Sequence, residues 1–265
     1  MPRTIVVVDA DACIPTELAA AAEMRVAPPD ARLLLQPDSV AALRADAGPP
    51  PEGPVGDACA QAAEDAGAVL YVGVGDGYGS PQGAAEYARH AVQAHVPGAA
   101  FEVYDSGAAL MGAGWQALAA ARVLRDGGTV EAARLAAEVV AGRVQVLAML
   151  EHPELAIAAG ATELGDDRQR ALVMLEGPGI TVLGRLAKRD QALQALRNEF
   201  ARRAAEAEGA LHVAVHHAGA QAGAEALATW TERTLHPSTL VVAPLTRHAA
   251  TRLGPRMLGV AWYRE

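Results

Sequence analysis

Short apolar runs alternate with helical stretches along the first half of the chain. Three of the runs have the length and β-branched content of buried parallel strands. They cover residues 4–8, 69–72 and 100–104, with a fourth short strand expected at 32–35. The helical stretches cover residues 16–23, 39–44, 57–66, 82–94, 112–125 and 129–141, and the proline-rich residues 48–54 are expected to form a rigid loop. This alternation predicts an α/β domain over residues 1–145, with parallel strands between helices.

The pattern changes after about residue 145, where two short apolar runs flank a Glu-Gly-Pro-Gly turn at 176–179. Such a pair predicts a β-hairpin and therefore antiparallel pairing. The predicted strands are 145–150, 171–175, 180–183, 211–216, 240–243 and 258–262, and the predicted helices are 153–159, 189–208 and 220–234. We therefore expect a second, mixed-sheet α/β domain over residues 146–265.

Composition limits what the core and any cavity can be. The 265 residues suffice for two domains with cores of their own. Hydrophobic residues make up 51% of the chain but aromatic residues only 4%, so a buried cavity is expected to be lined mostly by aliphatic side chains.

Charge and cysteine content exclude several classes. A net charge of −9 argues against a general nucleic-acid-binding protein. The chain has no run of about 18 apolar residues, so no membrane span is predicted. The apolar start, Ile5 to Val8, is too short for a signal peptide, and Cys13 and Cys59 are too few for a disulfide framework or a metal cluster. We expect a cytoplasmic protein without stable membrane insertion.

Four glycines at alternate positions follow the strand at 69–72: Gly73, Gly75, Gly77 and Gly79. Ser80 suits a helix N-cap and Pro81 the first helical position. Backbone amides and a helix dipole there favour a negative group, although the glycines serve equally well for a tight crossover turn. The dinucleotide-binding and phosphate-loop patterns both fail, because the spacing is wrong and no Gly-Lys-Ser/Thr follows.

Polar residues follow each predicted parallel strand at its carboxyl end. Asp9 follows the first strand, the glycine-rich loop the next, and Asp105-Ser106 the third. Open α/β sheets bind ligands beyond the carboxyl ends of their strands. These stretches together are the candidate site that the residues alone indicate.

Several stretches also match one family in the same order. They are Asp9 with Pro15 six residues later, the glycine-rich loop, Val103-Tyr-Asp-Ser, and Gly254-Pro followed by Leu258-Gly-Val. This order resembles the DegV family over essentially the whole chain. The resemblance implies a two-lobe fold that binds a long-chain fatty acid at the cleft between its lobes. It also implies a non-enzymatic, acyl-carrying subunit that presents its ligand to a separate fatty acid kinase, with no cofactor.

The resemblance implies where the ligand carboxylate binds. The implied ligand-binding residues are Asp9, Gly79, Ser80, Ser106, Arg252 and Gly254. The family's Thr-Ser-Gln-Pro-Ser loop falls on residues 50–54 and its Ser-Ser on Val74-Gly75, so the usual hydroxyl donors are absent. Arg252 stands at the family's histidine position, where a guanidinium can pair a carboxylate through two parallel hydrogen bonds. The alternative is that Arg252 is a surface arginine.

A second function remains open from the residues. A strand that ends in Asp9-x-Asp11 also suits a haloacid-dehalogenase-type phosphatase, with an aspartate nucleophile, an acid/base aspartate and Mg²⁺. Residues 165–167 could supply its distal acids, but Lys188 follows them where the lysine should precede them. The structural alternative for Asp9 is a cap on the next helix.

The remaining polar residues point to no metal and no nucleophile. His216 and His217 are adjacent on a predicted strand and should point to opposite faces, so no metal is predicted. No base accompanies Ser106 in the sequence, which predicts a turn there rather than a nucleophile.

Overall fold

The computed structural model describes residues 3–28, 30–48, 52–75, 78, 81–164, 169–177 and 179–265. The chain forms two compact units. Unit 1 comprises Met1–Ala31 and Pro49–Gly142, and unit 2 comprises Arg32–Gly48 and Arg143–Glu265. Residues 32–48 therefore pack with the second half of the chain. The sequence predicted a single domain boundary near residue 145, which assigned these residues to the first domain.

The order of elements confirms the predicted alternation in the first half and the mixed pattern in the second. The strands are β1 (Arg3–Asp9), β2 (Arg25–Ala27), β3 (Gly67–Gly73), β4 (Ala100–Asp105), β5 (Gln145–Leu150), β6 (Arg170–Glu176), β7 (Gly179–Leu186), β8 (Leu211–His217), β9 (Thr239–Pro244) and β10 (Leu258–Arg264). The α-helices are α1 (Thr16–Ala21), α2 (Val40–Ala45), α3 (Glu52–Ala66), α4 (Pro81–His95), α5 (Met111–Arg125), α6 (Val130–Ala141), α7 (Pro153–Ala158), α8 (Arg189–Ala204), α9 (Gln221–Leu235) and α10 (Arg247–Leu253).

Unit 1 contains a four-stranded sheet in the order β2-β1-β3-β4, with every pair parallel. The two central strands, β1 and β3, are buried along most of their length, as expected when helices cover a parallel sheet. On one side Val7, Val69 and Tyr71 join a core with Cys59 of α3. Helices α3 and α4 approach closely, since a Cβ at Gly56 would lie 2.6 Å from the Tyr87 ring.

Unit 2 contains a six-stranded sheet in the order β7-β6-β5-β10-β8-β9. The pairs from β7 to β8 are antiparallel, and β8 and β9 are parallel with α9 as their crossover. The core beneath α8 and α9 contains Phe200 and Trp262, whose ring centroids lie 4.9 Å apart. The predicted hairpin at β6–β7 and the predicted mixed sheet are confirmed.

Several local predictions were wrong. Residues 32–35 form no strand: Leu33 makes an isolated bridge with Thr246, and the Leu34 amide donates to Leu245 O at 2.8 Å. Helix α3 begins at Glu52, inside the predicted loop, because a proline in the first turn has no intrahelical bond to lose. Strand β2 and helix α10 were missed. Both are short, and their sequences show little periodicity.

Among the described residues, no helix is long and apolar enough to cross a membrane.

Candidate functional site

Asp9 ends β1 at the carboxyl edge of the unit 1 sheet and is almost completely buried. Its Oδ1 accepts a hydrogen bond of 2.8 Å from the Asp11 amide, which caps a 3₁₀ turn over Ala10–Ala12. Its Oδ2 accepts a hydrogen bond of 3.2 Å from the Tyr71 hydroxyl. The capping alternative for Asp9 is therefore confirmed, although the cap serves a 3₁₀ turn rather than an α-helix.

Tyr71 keeps its proton in this environment. Burial raises the pKa of Tyr71 well above its usual value, and the neighbouring Asp9 carboxylate raises it further. The hydroxyl therefore stays a donor to Asp9. The phosphatase alternative gains no support, and the distal acids that it needs, Asp166 and Asp167, lie outside the described residues.

The loops after β3 and β4 lie against each other at the same edge of the unit 1 sheet. The Gly75 amide donates to Ala108 O at 2.8 Å, and the Ser106 amide donates to Gly73 O at 3.2 Å. A Cβ at Gly75 would lie only 2.6 Å from the backbone carbonyl carbon of Gly107. Gly75 is thus required by close backbone approach. Gly77, Gly79 and Ser80 lie outside the described residues, so the ligand role of Gly79 and Ser80 stays a prediction.

The turn at Ser106 is held by its own polar groups and by a buried glutamine. Ser106 Oγ accepts from the Ala108 amide at 3.2 Å, as the predicted turn requires. Gln116 of α5 is fully buried, and its Nε2 donates to Ser106 O at 3.1 Å. Its Oε1 accepts from the Tyr104 hydroxyl at 2.8 Å. A ligand contact by Ser106 stays a prediction. The hydrogen bonds described above would hold the turn in place before a ligand binds.

Unit 2 contains a cavity of about 230 Å³ where α2, α7 and α10 meet. Arg252, the predicted carboxylate-binding residue, lines it from the last turn of α10. The other lining residues are Arg44, Ala47, Gly48, Leu155, Ala158, Ala159 and Thr251. The cavity is therefore aliphatic apart from two arginines and one threonine, as the composition predicted for an apolar cavity.

Gly254 closes α10 directly beyond Arg252. Its φ of 83° lies in the region that favours glycine, and its amide donates to Ala250 O at 2.9 Å. A Cβ at Gly254 would lie 3.1 Å from His152 O, at the start of α7. Gly254 thus allows α10 to pack closely on α7, and its predicted ligand contact is untested.

Salt bridges anchor the segment that carries α2. Arg247 binds Asp38 Oδ2 at 2.6 Å and also binds Asp46 through Nε. The hydrogen bond from Arg247 lowers the pKa of Asp38. His248 Nε2 lies 3.0 Å from Gly48 O. The backbone on both sides of Arg44 is thereby held in place on α10.

An ion-pair cluster fixes the start of α7. Glu151 follows β5 and precedes α7, and its side chain, only 7% exposed, binds both Arg170 and Arg189. Burial raises the pKa of Glu151, but the two arginines outweigh that effect and lower it. The charged form is therefore kept at a position where an unpaired carboxylate would be costly.

The sequence did not predict most of the residues that line the cavity of unit 2. Arg44 and the small residues Ala158 and Ala159 gave no signal, because α2 lies more than a hundred residues from α7 and α10 in the sequence. An arginine in the last turn of a short helix is ordinarily explained by the helix dipole. Gln116 could have been found, since a glutamine on the apolar face of a helix needs buried partners.

The two adjacent histidines have separate partners. His216 Nδ1 donates to Ala243 O at 3.1 Å, whereas His217 Nδ1 accepts from the Ala220 amide at 3.2 Å. Burial lowers the pKa of His216 to about 4 and also lowers the pKa of His217. Among the described residues, no group of three or more histidines, cysteines or acids is placed to hold a metal ion.

The sequence matches no protein-family model, and no curated protein matches it. Solved structures match it over its whole length. A DegV family protein from Thermus thermophilus, described as fatty acid binding, has a TM-score of 0.78 at 19% identity and covers 99% of this chain and 100% of its own. The chain has the DegV fold.

Other solved structures with the DegV fold are also similar to this chain over its whole length. DegV from Bacillus subtilis, described as a fatty acid binding protein, has a TM-score of 0.76 at 17% identity, with 100% of both chains covered. A stearic acid-binding protein from Eubacterium ventriosum has a TM-score of 0.74 at 14% identity and covers 100% of this chain and 98% of its own. The resemblance inferred from the sequence motifs is confirmed at the level of the fold.

Proposed function

We propose that the protein binds a long-chain fatty acid, with Arg252 pairing the carboxylate and the cavity of unit 2 holding part of the acyl chain. The observation that carries this proposal is that Arg252 lines a cavity whose other described lining residues, apart from Arg44 and Thr251, are aliphatic or glycine. The proteins that share the DegV fold supply the ligand class, since several are described as fatty acid binding and one as stearic acid-binding.

The chemistry of the cavity suits such a ligand. A buried carboxylate needs a charged or hydrogen-bonding partner, and a guanidinium offers two parallel donors. Each methylene buried contributes about 0.8 kcal/mol, so the tail dominates the affinity. The cavity is open to solvent, because Ala47, Gly48, Ala158 and Ala159 on its wall are exposed. Its volume of about 230 Å³ takes part of an acyl chain.

The wider role follows from the same proposal. The protein acts as a binding subunit without catalytic residues of its own and presents the bound acyl carboxylate to a separate kinase. Ligand contacts by Ser106, Gly254, Gly79 and Ser80 stay predictions, whereas both carboxylate oxygens of Asp9 already accept hydrogen bonds from the protein. A radioactive phosphate-transfer assay with a candidate kinase and oleate tests this role, since phosphorylated acyl product should form only when both proteins are present.

Calorimetric titration with oleate tests the binding itself. We expect Arg252→Ala to weaken binding by about 1.5–3 kcal/mol, the usual value of a hydrogen bond to a charged group. Arg32→Ala is the matched control, because Arg32 is an exposed arginine of the same unit that does not line the cavity. An unchanged dissociation constant for Arg252→Ala removes Arg252 from the site. Absence of binding by the unmodified protein contradicts the proposal itself.

A further inference from the structure

Three segments line the cavity of unit 2: the last turn of α10, helix α7 with the residue after it, and the end of α2 with the loop that follows it. Helix α10 contacts both α7 and α2. The shape of the cavity therefore depends on how α7 and the end of α2 are each held against α10.

Uncharged packing holds α7 against α10. A Cβ at Gly254 would lie 3.1 Å from His152 O and 3.7 Å from Leu155 Cδ1. Leu155 is buried and lines the cavity. These contacts involve no ionised group, so dissolved salt does not screen them.

Ion pairs hold the two ends of α2. Asp38 lies before α2 and Asp46 directly after it, and both bind Arg247, the first residue of α10. The Arg247 amide also donates to Arg32 O at 2.6 Å. The side chain of Arg247 is 22% exposed and that of Asp46 is 47% exposed, so dissolved ions reach these ion pairs and screen them.

Helix α2 also has an apolar attachment. Leu43 is fully buried, and the burial of an apolar side chain does not depend on ion pairs. We therefore expect α2 to stay packed when the ion pairs are lost. Ala47 and Gly48, which line the cavity and follow Asp46 directly, would then lose the restraint next to them.

We propose that Arg247 is a positioning residue for the cavity: its ion pairs hold the wall formed by Ala47 and Gly48, so acyl-chain binding weakens when those ion pairs are removed or screened by salt. This proposal rests on the proposed function, since it takes the cavity as the acyl-chain site. Without the ion pairs, the ligand has to order this wall on binding, which lowers the affinity. Exposed ion pairs are individually weak, so the loss should be modest.

Calorimetric titration with dodecanoate at two salt concentrations tests this role. We expect Arg247→Ala to raise the dissociation constant by roughly three- to tenfold at about 0.03 M NaCl. At about 0.5 M NaCl the ion pairs of the unmodified protein are screened, so the ratio of the two dissociation constants should fall below about twofold. Salt also alters the hydrophobic effect and the pairing of the ligand carboxylate, but it does so equally in both proteins and cancels from the ratio.

Arg202→Ala is the matched control, because Arg202 also binds two acids of unit 2, Glu199 and Glu206, but does not line the cavity. It should leave the dissociation constant unchanged at both salt concentrations. Asp46→Asn removes one ion pair by an isosteric change at an exposed position, and it replaces Arg247→Ala if that variant does not fold. It should raise the dissociation constant roughly twofold at low salt and leave it unchanged at high salt.

Two results overturn the proposal: a ratio near one for Arg247→Ala at low salt, or a raised ratio that salt does not change. The second result would mean that Arg247 supports the fold of unit 2 without its charge positioning the wall. If the unmodified protein binds no dodecanoate at either salt concentration, the proposed function fails as well, so the two failures are distinguishable.

Discussion

The Tyr71 hydroxyl donates a hydrogen bond of 3.2 Å to the buried carboxylate of Asp9. The bond joins β3 to the end of β1 at the sheet edge where unit 1 carries its predicted ligand-binding residues. Tyr71 is itself fully buried, so the carboxylate has no route to solvent on that side. The Asp9 side chain is therefore positioned by the fold.

Tyr71→Phe removes this bond and leaves Asp9 with one donor fewer. We expect the free energy of unfolding, measured with urea, to fall by about 1.5–3 kcal/mol, because the acceptor is charged. Tyr104→Phe is the matched control, since its hydroxyl donates to the neutral amide oxygen of Gln116 at 2.8 Å. That substitution should lower the free energy by about 1 kcal/mol. A loss for Tyr71→Phe no larger than that for Tyr104→Phe contradicts the charged-acceptor argument.

Gly75 tests the close packing of the two loops after β3 and β4. Gly75→Ala places a methyl group 2.6 Å from a backbone atom that cannot rotate away. We expect a loss of about 1–3 kcal/mol in the free energy of unfolding, typical of overpacking. Gly184→Ala, where a Cβ meets nothing within 4 Å, should change it by less than about 0.5 kcal/mol. Similar free energies of unfolding for the two variants would contradict the close packing, because they would show that the loops move apart at little cost.

His216 gives the protein a pH-dependent stability. Its pKa in the folded state, about 4, lies below the unfolded value near 6.5, so below that pH the unfolded chain binds a proton that the folded chain does not. Stability is therefore complete above about pH 6.5 and falls as the pH decreases toward 4. His216 should account for a loss of about 2 kcal/mol between roughly pH 7 and pH 5. His217 acts in the same direction.

Urea unfolding at several pH values measures this slope. His216→Leu should give a shallower dependence of the free energy of unfolding on pH, whatever its stability at neutral pH. Carboxylates contribute equally to both proteins, so the difference between the slopes isolates the histidine. Identical slopes would mean that His216 is protonated equally in both states.

Ala158 tests whether the cavity of unit 2 is the binding site. Its side chain lines the cavity and is exposed, so Ala158→Phe adds bulk there without crowding the core. We expect the dissociation constant for oleate to rise by roughly tenfold or more, since several methylenes of about 0.8 kcal/mol each lose their place. Ala222→Phe, on an exposed position of α9 away from the cavity, should leave it unchanged. Equal affinities in the two variants would place the acyl chain elsewhere.

The strands were predictable where the sequence is strongly patterned. Strand β5 has the predicted bounds, and β1, β3 and β4 differ from prediction by at most two residues at an end. Buried strands such as β1, β3 and β5 are continuous apolar runs, which the sequence shows directly. Strand β2 has only three residues, and its extended conformation depends on pairing with β1. A local sequence pattern does not encode such pairing.

The candidate site was predictable only in part. Arg252 was identified through its place in a motif, but Arg44, which lines the same cavity, comes from a segment that packs with unit 2 across more than a hundred residues of sequence. Helix α10, which carries Arg252, was missed because it is short and is held mainly by the Thr246 cap and by Arg247. Tertiary contacts of this kind leave no periodic signal.

Native mass spectrometry of the freshly purified protein, before and after organic extraction, tests the central claim most directly. Fatty-acid binding predicts an adduct at the mass of a long-chain fatty acid that disappears on extraction and returns when palmitate or oleate is added. A clean mass of the protein alone, with no uptake of either added fatty acid, would contradict the proposed function and leave only the fold in common with the fatty-acid-binding structures.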